Sequence, residues 1–530
     1  MLRGKTMNRR ITLCLALLVV PILLLAQENV DLNAIYKIKN EAFSRSQVMD
    51  YMFWLCDAVP PRLTGAPGYQ KAADWAVAKL KELGLENAHL EKWPFGRGWS
   101  NQRLSAHMLE PTYAPLTAMP LAWTGSTDGV LIGEPVYARI QAETDMEKFK
   151  GKLKGKIVLS DAPLELTLHE KAEAQRYSDQ DLADIAMAPV PGPMGPRRPA
   201  GMPGGPAMNF QQMMALRKKL AAFWREEGVG VLVTEGFRND GGTMFGGNGG
   251  SRSVKDPLAP AQIIISAEQY NRIVRCLDKK VPVKLEIEVK NAVTDTEQDG
   301  INVVADIPGR SKKDEIVMIG GHLDAWHYGT GASDNAAGSA IMLEAIRILK
   351  KLNLPMERTV RIGLWGGEEQ GLIGSREYVK AHLADRSNMK TLPEWDKVSA
   401  YFNVDNGGGK IRGVYLQGNE MARPIFEAYL APFKDLGVTT ISIRNTGGTD
   451  HLSFDGVGVP GFQFIQDPLE YNSRVHHSNM DVMERIQRGD MLQMSAVVAS
   501  LVYNTANRPE MFPRKPKPEP SSGGMFSGMD

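Results

Sequence analysis

Six residues between positions 322 and 477 have the types and order of one chemical device. They are His322 in Gly-Gly-His-Leu-Asp, Asp334 in Ser-Asp-Asn-Ala-Ala-Gly, the adjacent pair Glu368 and Glu369, Asp405 in Asn-Val-Asp, and His477 in His-His-Ser. Two imidazoles and three carboxylates suit two divalent cations that share one bridging carboxylate. A further glutamate next to a ligand suits removal of a proton from a water activated by the cations. The chemistry implied is hydrolysis at a pair of metal ions.

The elements that must position these residues can be read from the apolar pattern. Glu315 to Ile319 is a strand-like run followed directly by His322, and Thr359 to Trp365 is a second that leads into Glu368 and Glu369. Ser399 to Val404 ends on Asp405, and Gly461 to Ile465 lies shortly before His477. Short apolar runs that alternate with helical stretches predict buried parallel strands of an α/β domain. Ligands in such folds gather outside the carboxyl ends of the strands. Asp334 stands differently, before a helical pattern (Ile341, Ala345, Ile348, Leu349, Leu352), where a plain N-cap is the competing role.

The combined motifs 320–326, 331–338, 365–375, 403–405, 447–454 and 476–478, with the early Leu-Cys-Asp-Ala-Val-Pro-Pro-Arg-Leu-Thr-Gly-Ala-Pro-Gly at 55–68, make the chain resemble the family M28 zinc metallopeptidases, in the branch typified by carboxypeptidase Q. The resemblance spans nearly all of the chain beyond its first residues. It implies a mixed, largely parallel sheet flanked by helices, with an inserted β-rich protease-associated (PA) domain. It implies two zinc ions, with cobalt or manganese as workable substitutes. His322, Asp334 and Asp405 would hold one ion, and Asp334, Glu369 and His477 the other. Glu368 becomes the general base, and Asp324 the carboxylate that orients the His322 ring. It further implies a cis peptide between Asp334 and Asn335.

The adjacent His476 is an alternative donor to His477. The family pattern of His followed by Ser favours His477 and leaves His476 a packing or substrate role. His451 and Asp450, in Thr-Asp-His-Leu-Ser-Phe, are expected in the substrate cleft by resemblance, with a structural role for His451 standing open beside that one. His327 is read as a structural residue near the first motif.

The chain has 530 residues and a net charge of +1, with both signs mixed. This length implies more than one domain. The charge pattern excludes a nucleic-acid surface, and no Walker-type lysine follows any glycine cluster. Lys5, Arg9 and Arg10 precede an apolar run of about 15 residues and then Ala26, the pattern of a secretory signal peptide over 1–26. The expected setting is periplasmic or extracellular, with no stable membrane partner after cleavage. Only Cys56 and Cys276 follow, so the core rather than disulfides would hold the fold.

The expected organisation is a first peptidase segment over 27–125 and a PA-like insert over 126–293 with a mobile Pro/Gly loop at 189–206. A second peptidase segment over 294–507 and a disordered tail over 508–530 complete it. The implied activity is removal of residues from dipeptides or short peptides, as a carboxypeptidase or dipeptidase; an aminopeptidase is the alternative, and a homodimer stays open. A non-catalytic receptor on the same scaffold, and a single-zinc acyltransferase, conflict with the complete ligand set.

Overall fold

The computed structural model describes residues 28–191 and 210–521. The expected signal segment, residues 192–206 of the Pro/Gly loop and residues 522–530 of the tail lie outside the described residues.

The four apolar runs are strands Lys312–His322, Arg358–Trp365, Val398–Asn403 and Gly461–Gln466. They lie side by side and parallel, in the order 461–466, 398–403, 312–322, 358–365. Their near-continuous burial is what a sheet covered on both faces demands. On one face, helices Ala337–Lys351 and Arg488–Asn507 bury Ile341, Ile346, Val497 and Leu501 against Val317, Val360 and Phe402. On the other, Trp365, Tyr378, Tyr401 and Phe454 close the layer, with Tyr401 stacked on Phe454 at 4.0 Å.

Beyond Arg358–Trp365 the sheet continues through two very long antiparallel strands, Glu86–Glu110 and Lys284–Ile307. Their far ends leave the central sheet and carry a second unit. Its five-stranded sheet has the order 118–120, 261–265, 231–234, 157–159, 136–137, and all its strands except the first run parallel. Helices Phe210–Glu226 and Ala267–Asp278 accompany these short strands. The second packs Tyr270, Ile273 and Val274 against Ile157, Val231 and Ile263.

The tail differs from its expectation over 508–521. Phe512 is 2% exposed and packs against Phe402, Phe426 and Phe462. Arg514 donates to the carbonyls of Trp395 and Val398 at 2.7 Å each, and Lys515 pairs with Asp455 at 2.7 Å. One aromatic side chain with a slot to fill outweighs a Pro- and Lys-rich average.

Candidate functional site

His322 ends its strand at the centre of the sheet, and Asp405 lies two residues beyond Asn403, at the same carboxyl edge. Glu368 and Glu369 follow strand Arg358–Trp365 through Gly366 and Gly367. A Cβ on Gly366 would lie 2.3 Å from the Tyr69 hydroxyl, and Gly367 has φ +65° with Trp93 2.7 Å from its missing Cβ. Only glycine makes this turn, and the turn swings both glutamates into the site. Asp334 does not cap the following helix, whose first residue is Ala337. It sits in a turn with non-helical angles, joined to Asn335 by a cis peptide. The capping-type bond is made by Asn335, whose Oδ1 accepts from Gly338 N at 2.9 Å.

These side chains converge. His322 Nε2 lies 3.3 Å from Asp334 Oδ1, 3.6 Å from Asp405 Oδ2 and 3.9 Å from Glu368 Oε2. On the other side of Asp334, its Oδ2 is 3.4 Å from His477 Nε2 and 3.7 Å from His476 Nε2. His477 Nε2 also lies 2.8 Å from Glu369 Oε2. Two clusters with donor atoms within 4.8 Å of one another result: His322, Asp334, Asp405, and Asp334, His476, His477. Asp334 belongs to both, and Glu369 joins the second through His477. The two neighbouring histidines therefore both face Asp334, and only His477 also reaches Glu369.

The electrostatics ask for positive charge. Burial, reinforced by Asp405, Asp450 and Glu369 against the opposing His322, pushes the Glu368 carboxyl well above the ordinary range. Burial and the charge of Asp334 do the same to Glu369. Burial alone would lower His322, yet Glu368, Asp405, Asp324 and Asp334 together raise it well above an ordinary imidazole. His476 and His477 are lowered, chiefly by burial. Among buried polar atoms, His322 Nε2 and Asp334 Oδ2 have no hydrogen-bond partner. Orphaned donors of this kind, inside a crowd of carboxylates, fit divalent cations.

A supporting layer fixes the donors, and part of it escaped the sequence reading. His322 Nδ1 is 3.0 Å from the Asp324 carbonyl and 3.4 Å from its carboxylate. Thr64 Oγ1 donates to Asp324 Oδ2 at 3.0 Å and accepts from Gly367 N at 2.8 Å, so it ties the His322 loop to the glutamate turn. Asp481 accepts from Ser333 N at 2.6 Å and Asp334 N at 3.0 Å. Buried Arg62 donates to the carbonyls of Leu323, Thr330 and Gly331. Arg62 and Thr64, on either side of buried Leu63, were the available signal for two of these; Asp481 carried none.

Asp450 and His451, expected near the substrate cleft, each have 0% exposure. His451 Nε2 is held by the Gln417 amide at 2.8 Å and the Thr446 carbonyl at 3.2 Å.

The segment that carries His476 and His477 is gripped by the second unit. Gly246 N donates to the His477 carbonyl at 3.0 Å, and Asn479 N to the Met244 carbonyl at 3.2 Å. Arg474 Nη1 donates to Asp240 Oδ1 and Thr243 Oγ1, and Nη2 to Glu173 Oε1, each at 2.7 Å. Gln175 and Leu469 exchange backbone bonds of 3.0 and 2.7 Å.

Residues 302–502 match the profile of Peptidase family M28. Carboxypeptidase Q of Mus musculus is 28% identical over 487 residues, which cover 91% of this chain and 89% of that protein. The crystal structure of a Peptidase M28 precursor from Shewanella amazonensis aligns with TM-score 0.63 at 27% identity, over 92% of this chain and 99% of that one. A zinc aminopeptidase from Bacillus subtilis shares the fold, with TM-score 0.54 at 18% identity over 87% of this chain and 94% of that one.

Proposed function

Because residues 302–502 belong to peptidase family M28, the chain is a metallopeptidase, and we propose that it is an exported dinuclear-zinc exopeptidase acting on dipeptides or short peptides. The observation that carries this reading is the shared position of Asp334 between two donor clusters, with Glu368 at the edge of one. His322 and Asp405 complete one zinc site with Asp334, and Glu369 and His477 the other. Mixed imidazole and carboxylate donors suit zinc, and cobalt or manganese would be accepted in its place. Resemblance to carboxypeptidase Q over most of both chains supports a short peptide as substrate.

When bound, the metal pair supplies Lewis-acid activation of the scissile carbonyl and of the attacking water. The chain supplies the proton transfers. Glu368 takes the proton from the attacking water and delivers it to the leaving nitrogen. Its burial holds the carboxyl at a raised affinity for that proton, and the backbone bond from Glu368 N to Asp324 Oδ1 at 3.3 Å fixes its place beside His322. Trp326 N donates to Glu369 Oε1 at 3.3 Å, and the Trp326 ring meets His477 edge-on at 6.1 Å. These contacts orient the second donor set and keep water from one side of it.

The test is a metal count per chain by mass spectrometry, followed by a panel of free dipeptides, N-blocked peptides and C-blocked peptides. Two zinc ions and hydrolysis confined to peptides with a free end are expected. One ion, or no hydrolysis of any peptide by the zinc-loaded protein, overturns the reading. Preference for C-blocked over N-blocked peptides would select the aminopeptidase alternative.

A further inference from the structure

Two glutamines stand in a strand that is otherwise apolar. Gln463 and Gln466 belong to Gly461–Gln466, and they are 0% and 6% exposed. A buried amide has to find partners for both its ends, and these two find them in the turn that carries Asp405. Gln463 Nε2 donates to the Asp405 carbonyl, and Gln466 Nε2 to the Gly407 carbonyl at 2.6 Å. They reach the turn from opposite layers of the sheet. Gln463 Oε1 accepts from Asn403 Nδ2 at 2.9 Å, beside the layer of Trp365 and Tyr401. Gln466 Nε2 instead lies 3.7 Å from Met494 Sδ, in helix Arg488–Asn507.

The orientation of the Gln463 amide follows from the chemistry of its neighbours. An indole N–H can only donate, and Trp365 Nε1 donates to the Tyr401 hydroxyl at 2.7 Å. The hydroxyl donates in turn to Asn403 Oδ1 at 2.6 Å, which leaves Asn403 Nδ2 to face Gln463 Oε1. Gln463 Nε2 is then the end that meets Asp405. Each bond in such a one-way chain polarises the next. Gly320 makes room for it: a Cβ there would lie 2.8 Å from the Tyr401 hydroxyl and 3.0 Å from Trp365 Nε1. The turn itself needs holding. Asn406 has φ +85° and Gly407 φ +100°, and a side-chain-bearing residue adopts such positive values only under constraint. Asp405 Oδ1 accepts from Asn406 N at 2.6 Å, so one carboxylate oxygen is committed to the turn. The other, Oδ2, faces His322 Nε2 at 3.6 Å.

We propose that Gln463 and Gln466 are positioning residues for Asp405, which hold its turn so that one carboxylate oxygen alone is presented to the first metal ion. The inference rests on the peptidase reading above and deepens it, because it assigns the placement of one donor to side chains outside both donor clusters. Without the amides the turn relaxes from its left-handed backbone, and Oδ2 drifts away from His322 and Asp334. The second ion draws no donor from this turn and keeps its surroundings.

The test reads zinc affinity in the full chain by competition with a chelating dye. His477→Ala serves as one background, where only the ion of His322, Asp334 and Asp405 is expected to bind. There Gln463→Met should weaken zinc binding about 10- to 100-fold, the scale for removing a partner that orients a ligand. In the His322→Ala background, which keeps the ion of Glu369 and His477, the same substitution should leave the affinity unchanged. Asn403 Nδ2 keeps its bond to Thr449 Oγ1 at 2.9 Å, so the variant orphans no donor there. Cobalt loaded into the first background should show an altered visible absorption in Gln463→Met, since that spectrum follows coordination geometry. Gln466→Met should give a smaller loss at the same ion, and it carries the test by itself if Gln463→Met does not fold. Unchanged affinity for the first ion overturns the proposal. Equal weakening in both backgrounds overturns it too, because it marks general damage to the fold and not the loss of one donor's placement. A single zinc ion in the unsubstituted chain overturns the dinuclear reading instead, and the Gln463→Met series on that ion still decides the positioning role.

Discussion

The two donor clusters are built on different foundations. In the first, the His322, Asp334 and Asp405 side chains are 0%, 5% and 5% exposed, and the residues sit at strand ends or against helix Ala337–Lys351. In the second, His476 and His477 are 36% and 33% exposed, on a segment pinned from outside by the inserted unit. The first cannot shift without breaking the central sheet. The second is only as ordered as the insert's grip on residues 469–479. A site made of a rigid half and a borrowed half can be tuned through the borrowed half, because strand ends are preorganised and loops are not.

The sharpest break of this comparison is at the residue the halves share. Asp334→Ala should strip metal from both clusters and reduce turnover to background, whereas His477→Ala should empty only the second and His476→Ala neither. Metal counts by mass spectrometry check the order, and a larger loss in His322→Ala than in Asp334→Ala would refute the bridge. Next in size, Glu368→Gln should lower kcat by about 10²- to 10⁴-fold with the metal content unchanged. Retention of most activity would move the base elsewhere.

A smaller effect isolates the borrowed half. Arg474→Ala should weaken metal binding at the His477 cluster by about tenfold, the scale of losing a contact one shell beyond a ligand, while the His322 cluster keeps its affinity. Equal weakening of both clusters would erase the distinction drawn here. For the same reason, replacing the insert by a short linker should disturb the second cluster first.

The smallest effect is a pH dependence confined to the insert. Glu235 is 2% exposed, and burial raises its carboxyl to about 7, with Asp161 adding to the shift. The folded state holds this proton more tightly than the unfolded chain, so the stabilisation is complete below about pH 4.5 and is lost as pH rises through about 7. Thermal melts between these limits should show the decline in the natural chain and a flatter curve in Glu235→Gln. An unchanged slope would show that Glu235 is not the group responsible.

Much of the central sheet was legible. Runs such as 359–365 and 399–404 are apolar on both faces and too short for helices, and they became parallel strands because helices cover both sides. The insert was less legible: helix Phe210–Glu226 follows a stretch of proline and glycine that masks any periodicity before it. The tail misled because composition averages away a single Phe512.

The sequence by itself determined the donor types, their order and their attachment to strand ends, because each is a local property of a motif and its flanking apolar run. It favoured His477 over His476, moved Asp334 from a plain cap toward metal binding once the other donors stood in register, and left His451 open between a cleft and a structural role. Tertiary structure supplied the surroundings of these residues. A cis turn held by Asp481 put Asp334 between the clusters, and close packing buried His451 under Gln417. The insert, whose Asp240 lies 234 residues before Arg474 in the chain, grips the segment that carries the histidine pair. Such contacts join distant segments through backbone carbonyls and amides, which every residue carries alike, and so no pattern of side-chain types announces them.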